Sequence, residues 1–492
     1  MLARLLVIAS TVHVASVILK RLLKQRASRR FVKKRSVKSY WTTGGEDRIS
    51  MLPDDLLVRI LTFVPLKRAV TTMVLSQRWR FIWTLLPQLS YKDIKDVPLP
   101  HRSFLRGLLD RLFGKSVQQR RRSIWRFLDE SLQVHKAHVL EKLFIELGPR
   151  CPIDADVGKW IENAVERKVR VLVFMLTWSG DPTSLPKSLY TCDTLYYLTL
   201  SDKILVDVPS PVCLPSLQNL RLYSVVYKDE DSHVRFLSSC PVLRILVVER
   251  HHQDNVTHFR IKVPSLECLY YDYSEIEVSN GSLVIDSPTL KRVLIRVYSG
   301  DSCLIENKHC FDKAIIHVLC YPDVKFIKSL SSVMSLELIL GVPTAAFCNA
   351  ANFSRLIDCR IIILYELDWL EPLVLLLQNS PNLKVLFIHQ LMYDYLEDLP
   401  LSWNQPSSVP GCLSTHLEIF EWKDYGGRSE EQQVARYIFA NSKCLKRAGI
   451  TMKSTCNMKD KKKMMKEIES MSRVSTSSQL LFSTQLKSLN LK

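Results

Sequence analysis

An apolar triplet spaced i, i+3, i+5 runs through most of this 492-residue chain. It reads Leu140/Leu143/Ile145, Val169/Leu172/Phe174, Leu195/Leu198/Leu200 and Leu217/Leu220/Leu222. It continues as Leu243/Leu246/Val248, Leu266/Leu269/Tyr271, Leu290/Val293/Ile295 and Val333/Leu336/Leu338. Later copies are Leu356/Cys359/Ile361, Leu383/Leu386/Ile388 and Leu417/Phe420/Trp422. Successive copies start 22 to 34 residues apart, with one step of 43 that predicts a degenerate copy near residue 312. The period-2 relation of i+3 and i+5 is that of a short strand with one buried face. A unit this small cannot bury its apolar face alone, so neighbouring copies must stack around one continuous core.

The pattern therefore predicts an α/β fold. Each repeat contributes one strand and returns through a helix or an irregular segment. Residues 157–165, 233–237 and 370–377 are the candidate returning helices. Pro215, Pro241, Pro264, Pro288 and Pro381 each stand two residues before a triplet, ending the preceding segment and setting up an extended strand entry. The copies lack a regular Asn, which predicts an irregular solenoid. The competing arrangement is an α/β sheet whose strands merely recur.

The segment 47–88 has a different, helical periodicity. Pro53 suits a first turn, and Asp54 and Asp55 suit the positive end of a helix dipole. Leu56, Leu57, Ile60, Leu61 and Val64 follow at helical spacing before Pro65 stops the helix. A second short helix carries Ala69, Val70 and Met73. Ser76 caps a third, with Trp79, Ile82 and Trp83 on one face. Three helices this short hold more large apolar residues than they can hide, so the module is expected to dock on another surface.

This segment resembles an F-box in the form common in plants. The residues that carry the resemblance are Asp47-Arg48-Ile49-Ser50, Leu52-Pro53-Asp54, Leu57, Ile60-Leu61, Pro65, Val74-Leu75-Ser76, Arg78-Trp79-Arg80 and Trp83. The usual Thr-Lys after the proline is Leu66-Lys67 here, and the usual Lys-Arg-Trp is Gln77-Arg78-Trp79. The resemblance implies binding to a Skp-type adaptor and, through it, to a cullin ubiquitin ligase. The adaptor contacts it implies are Leu52, Pro53, Leu57, Ile60, Leu61, Pro65, Val74, Leu75, Trp79 and Trp83, some of which must instead pack the module's own core. The triplet array is similar to the irregular leucine-rich repeats of plant F-box proteins. Residues 403–450 resemble the FBD domain at their C-terminal end, through His416-Leu417-Glu418, Phe420-Glu421-Trp422, Tyr425-Gly426-Gly427, Glu430-Glu431, Ala435-Arg436-Tyr437-Ile438, Asn441 and Cys444-Leu445-Lys446.

Charge separates these regions. The chain carries a formal +19, which invites a nucleic-acid or anionic-membrane partner. Residues 1–45, however, hold 11 basic and no acidic residues, and 443–492 hold 12 and 3. Residues 137–442 hold 28 basic and 37 acidic residues, which argues against nucleic acid as the partner of the repeats. The apolar run of residues 5–19 is shorter than the roughly 20 residues of a spanning helix. A membrane anchor within residues 1–20, a transit peptide, a nuclear signal at 29–35 and a solvated basic tail compete for this extension. Thirteen cysteines, with no C-x-x-C pair, suggest reduced thiols inside the cell, in nucleus or cytoplasm.

No sequence pattern for nucleotide, zinc-protease or serine-hydrolase chemistry is present. His251 and His252 sit in an expected solvated loop, Trp369 and Trp422 read as core, and Lys459 with Lys461–Lys463 as a solvated face. The expected organisation is a basic extension at 1–45, an F-box at 46–90, a basic linker at 91–136, leucine-rich repeats at 137–400, an FBD-like region at 401–450 and a basic tail at 451–492. The expected role is a non-enzymatic subunit that recruits a target protein for ubiquitination. No catalytic residue, metal, cofactor or small-molecule substrate is expected. The alternative is a scaffold driven by the basic flanks, tethered to a membrane or bound to nucleic acid.

Overall fold

A computed structural model describes residues 49, 51–92, 124–149, 151–153, 155–251, 254–273, 281–299, 301–306, 310–318, 324–340, 351–363, 369–391 and 403–482. The anchor, transit-peptide, nuclear-signal and solvated-tail readings of residues 1–45, and most of the basic linker, lie outside these. The chain divides into two compact units between Leu217 and Gln218.

The first unit opens with three short helices, α1 (Asp54–Leu61), α2 (Leu66–Thr71) and α3 (Trp79–Ile82). Pro53 and Pro65 stand immediately before α1 and α2, where a missing N–H and a fixed φ cost nothing. Ser76 Oγ accepts the Trp79 N–H at 3.4 Å, as the capping role required. Strands follow at β1 (Gln88–Lys92), β2 (Lys142–Leu147), β3 (Val171–Leu176) and β4 (Tyr197–Asp202), all parallel. Helix α4 (Ile124–Val134) precedes β2, and α5 (Val157–Glu166) returns the chain from β2 to β3.

Register explains the triplet. Leu89 lies opposite Leu143, Leu143 opposite Leu172 and Leu172 opposite Leu198. Tyr91, Ile145, Phe174 and Leu200 form the parallel column two residues on, and every one of these side chains is buried. An i+3 residue therefore always meets an i+3 residue, and the columns stack into one apolar layer.

The second unit repeats the rule. Its parallel strands are β5 (Asn219–Tyr223), β6 (Ile245–Glu249), β7 (Cys268–Tyr273), β8 (Arg292–Val297), β9 (Lys313–Val318) and β10 (Ser335–Leu340). They continue with β11 (Asp358–Ile363), β12 (Val385–Gln390), β13 (Ile419–Tyr425), β14 (Arg447–Met452) and β15 (Gln479–Phe482). Strand β9 supplies the degenerate copy expected near 312, with Phe311, Ala314 and Ile316 buried. Strand β14 is a copy the sequence pattern missed, Leu445/Ala448/Ile450, because Ala448 is too small to mark it.

Returns between strands are uneven, which is the irregularity the missing Asn predicted. Some are helical, namely α6 (Ser232–Ser238), α7 (Val324–Ser329), α8 (Leu370–Gln378), α9 (Gly411–Thr415) and α10 (Ser429–Asn441). Others are extended: His258–Lys262, Ser282–Asp286 and Ser302–Ile305 form their own parallel ladder. These turns pack tightly at Gly281, where a Cβ would stand 2.6 Å from the Thr257 carbonyl oxygen. The basic run at Lys459–Lys463 lies on a final helix, α11 (Met458–Glu469), which buries Met464 and Ile468.

The recurring proline acts differently from the expectation. The amides of Leu217, Leu243, Leu266, Leu290 and Leu383 each donate to the carbonyl three residues earlier. Each proline thus occupies the second position of a tight turn, where its fixed φ fits and no N–H is needed, instead of an extended entry. Residues 254–256 are loop, as expected beside His251, but two of their side chains are engaged within the unit. Asp254 is buried against Arg250, and the Asn255 side chain bonds the Tyr227 backbone in both directions.

Candidate functional site

Burial divides the ten residues named for adaptor binding. Leu57, Leu61, Leu75, Trp79 and Trp83 are buried among the short helices and form the core of the module. Pro53 and Pro65 are exposed, and Leu52, Ile60 and Val74 are half-buried, so these five remain reachable.

Four further large apolar side chains of the module, none of them among those ten, are exposed. Met51 is 75% exposed, Phe81 57%, Leu56 44% and Phe63 40%. A signal for Leu56 was present: Leu56, Leu57, Val58, Ile60 and Leu61 cannot all face one core from an eight-residue helix. The position of this rim is fixed by Arg78. Its Nε donates to Asp54 Oδ1 at 2.7 Å and its Nη2 to the Leu52 carbonyl at 2.5 Å, holding the Leu52-Pro53-Asp54 turn at the entrance to α1.

The outward face of the second unit's strands has another character. Arg296 donates to Asp272 Oδ2 at 3.2 Å and to the Tyr270 hydroxyl at 3.0 Å. His317 donates from Nε2 to Glu337 Oε1 at 3.0 Å, and this bond holds the Glu337 carboxyl below the usual range. Arg360 stacks over Phe387 at 5.6 Å, Arg447 pairs with Glu421, and His389 meets Asp424 at 3.3 Å. Burial, followed by the nearby Lys423, pushes His389 below the usual histidine value. Charges on this face are thus partnered from strand to strand.

The third cluster is internal. Arg250 Nε donates to Asp254 Oδ2 at 2.8 Å, Nη1 to the Tyr271 hydroxyl at 2.9 Å, and Nη2 to the Val256 carbonyl. Its guanidinium lies over the Tyr273 ring at 4.5 Å. Alongside, His233 stacks on Phe259 at 4.3 Å and accepts the Arg260 amide at Nε2. Burial, reinforced by Arg250, lowers its pKa to about 4. The Arg250 guanidinium is fully engaged within the unit, and the cluster holds no exposed nucleophile. Trp369 and Trp422 are likewise core, edge to face at 5.7 Å. Among the described residues, no group of three or more His, Cys, Asp or Glu side chains is arranged to hold a metal ion, and no helix is long and apolar enough to cross a membrane.

Comparison with known families assigns these regions. The F-box domain matches residues 49–90, which contain α1 to α3 and the start of β1. The leucine-rich repeats of the FBD-associated F-box protein At5g56370 match 157–335. FBD matches 405–450, which in the structure is the β13–α10–β14 unit. The putative F-box/FBD/LRR-repeat protein At1g22000 of Arabidopsis thaliana is 49% identical over 461 residues, covering 89% of this chain and 92% of the relative. From the same plant, the putative FBD-associated F-box protein At1g05080 is 46% identical over 89% of this chain and 98% of the relative. The F-box/FBD/LRR-repeat protein At5g56420 is 37% identical over 89% and 99%. A helical module with an apolar rim, a strand per leucine-rich repeat and an FBD built as a further strand–helix–strand unit place this chain in the F-box/FBD/LRR-repeat family.

Proposed function

We propose that this chain is the target-recruiting subunit of a Skp–cullin–F-box ubiquitin ligase. The observation that carries the reading is the apolar surface the F-box leaves exposed, Met51, Leu56, Phe63 and Phe81, together with the reachable Leu52, Pro53, Ile60, Pro65 and Val74. Burying such a rim against a Skp-type adaptor supplies affinity through apolar area, with aromatic anchors near its centre. The repeats then hold a target protein, and ubiquitin transfer is promoted by effective concentration, with no side-chain chemistry from this chain. The outward strand face suits that task, because its charges are held in fixed geometry and their pattern is available for recognition. In this role the protein works inside the cell, in nucleus or cytoplasm.

The test is binding of the full chain to a purified Skp-type adaptor. Leu52→Ala combined with Pro53→Ala, and separately Phe81→Ser, are expected to weaken binding by about tenfold or more while leaving the repeats folded. Binding that is absent in the wild-type chain, or unchanged in both variants, overturns the proposal.

A further inference from the structure

The F-box ends inside the first repeats. Its last strand, β1, is hydrogen-bonded into the parallel ladder beside β2, and the Lys142 amide donates to the Pro87 carbonyl at 3.1 Å. Lys136 and Ala137 amides both donate to the Thr84 carbonyl, at 2.8 and 3.2 Å. The Tyr91 hydroxyl and Ser131 Oγ stand 2.6 Å apart, tying β1 to α4.

One buried side chain joins the two sides of this seam. His135 Nε2 lies 2.9 Å from the Leu86 carbonyl, and Arg167 Nη1 lies 2.6 Å from His135 Nδ1. A carbonyl can only accept and a guanidinium can only donate. The ring is therefore neutral, with its proton on Nε2 given to Leu86 and its Nδ1 lone pair taken by Arg167. Leu86 belongs to the F-box match, and Arg167 follows α5 within the repeat match. Arg167 Nη2 also reaches the Leu132 carbonyl at the end of α4, at 3.5 Å.

We infer that His135 and Arg167 are positioning residues that lock the F-box to the first repeats, so that whatever the F-box holds keeps a fixed geometry relative to those repeats. The inference rests on the ligase reading for its purpose, but its structural content does not. A ligand set of one donor, one acceptor and one fork spans three segments that are far apart in sequence: 84–92, 131–137 and 167. Without it, the backbone bonds of the seam remain, but no buried side chain ties Leu86 to the Arg167 turn, and buried directional networks help specify a single arrangement.

Hydrogen exchange on the full-length chain tests this. His135→Ala is expected to speed exchange about tenfold or more at the amides of Lys136, Ala137 and Lys142, while α1 and the amides of β3 and β4 keep their protection. His135→Gln keeps one donor and one acceptor and is expected to recover most of the loss. Arg167→Met is expected to act like His135→Ala, and the double variant no worse than either single one. Unchanged exchange at the seam, additive effects in the double variant, or no rescue by glutamine overturns the lock. Adaptor binding is measured on the same samples. Its absence in the wild type overturns the ligase reading and leaves the lock standing, whereas a seam that does not respond overturns the lock and leaves the ligase reading standing.

Discussion

The F-box and the repeat strands handle apolar residues in opposite ways. The F-box is three short helices around buried anchors that include Leu57, Leu61, Trp79 and Trp83, with Met51, Leu56, Phe63 and Phe81 left exposed. The repeat strands bury theirs in unbroken columns. Leu246, Leu269, Val293, Ala314, Leu336, Cys359, Leu386, Phe420 and Ala448 stand in register from strand to strand and are all buried. What the repeats turn outward includes charges paired from strand to strand, Arg296 with Asp272, His317 with Glu337 and Arg447 with Glu421. A helix of eight residues has too little circumference to hide five apolar side chains, whereas a strand in a stacked array hides every second residue by construction. The first geometry leaves material for affinity and the second leaves a patterned face for discrimination.

The sharpest way to break this contrast is to unbalance the buried Arg250–Asp254 pair of the repeats. Asp254→Ala leaves the Arg250 guanidinium buried without its carboxylate, and the expected loss is about 3–5 kcal/mol. It is read as a fall in the thermal midpoint and as faster hydrogen exchange in β6 and β7. Adaptor binding is expected to be unchanged. If the F-box loses protection together with the repeats, the two regions do not behave as distinct solutions. Next in size is Leu61→Ala, which empties a fully buried site in a very small core, at about 2–5 kcal/mol. Here adaptor binding is expected to fall because the module opens, with the strand amides of the second unit unaffected.

The same contrast explains what the sequence disclosed. The repeats were legible because strand geometry places i+3 and i+5 on one face, and large apolar residues mark it. Copies vanished from view where the column narrows, at Ala448 in β14, and where the triplet falls within the F-box pattern, at Leu86/Leu89/Tyr91. The F-box pattern was legible as a pattern, but its division into core and rim was not. Leu56 and Leu57 are adjacent and identical, and only the packing of α1 against its neighbours decides that one is inside and one outside. The Arg250–Asp254 pair was hidden for a related reason. Two charged residues four apart beside His251 read as a solvated loop until the burial of Tyr227, Phe259 and Tyr271 around them is known.

Two histidines sharpen the comparison through pH, one in each unit. Burial lowers His135 to about 4, although its bond to Leu86 opposes the shift, and burial lowers His233 to about 4. Each folded value lies below the unfolded value of about 6.5, so the unfolded chain binds more protons between the two. Stability from these rings is complete above pH 6.5 and is lost as pH falls toward 4, by on the order of 3 kcal/mol per ring at pH 4. Titrating hydrogen exchange from pH 7 to 4.5, corrected for the intrinsic rate, is expected to loosen the His135 seam and the α6 packing around His233. His233→Gln is expected to flatten the dependence in α6 alone. A dependence that survives this change assigns the acid sensitivity to other groups.

The smallest effect on stability is expected where the contrast is most visible. Met51 and Phe81 are the most exposed large apolar side chains of the F-box, so Met51→Ser and Phe81→Ser remove little buried area. Their folding cost is expected to stay within about 0.5 kcal/mol, as for substitutions away from the core. Lys136 stacks its ammonium 5.1 Å from the Phe81 ring, so this side chain carries a modest extra contact, and Phe81→Ser is expected to be the costlier of the two. Thermal unfolding compares each variant with Leu61→Ala. If Phe81→Ser destabilises the module as much as Leu61→Ala does, the ring belongs to the core in solution and the rim is smaller than the structure draws it. If both serine variants leave the midpoint in place while adaptor binding weakens, folding and docking use separate apolar residues within a single forty-residue module.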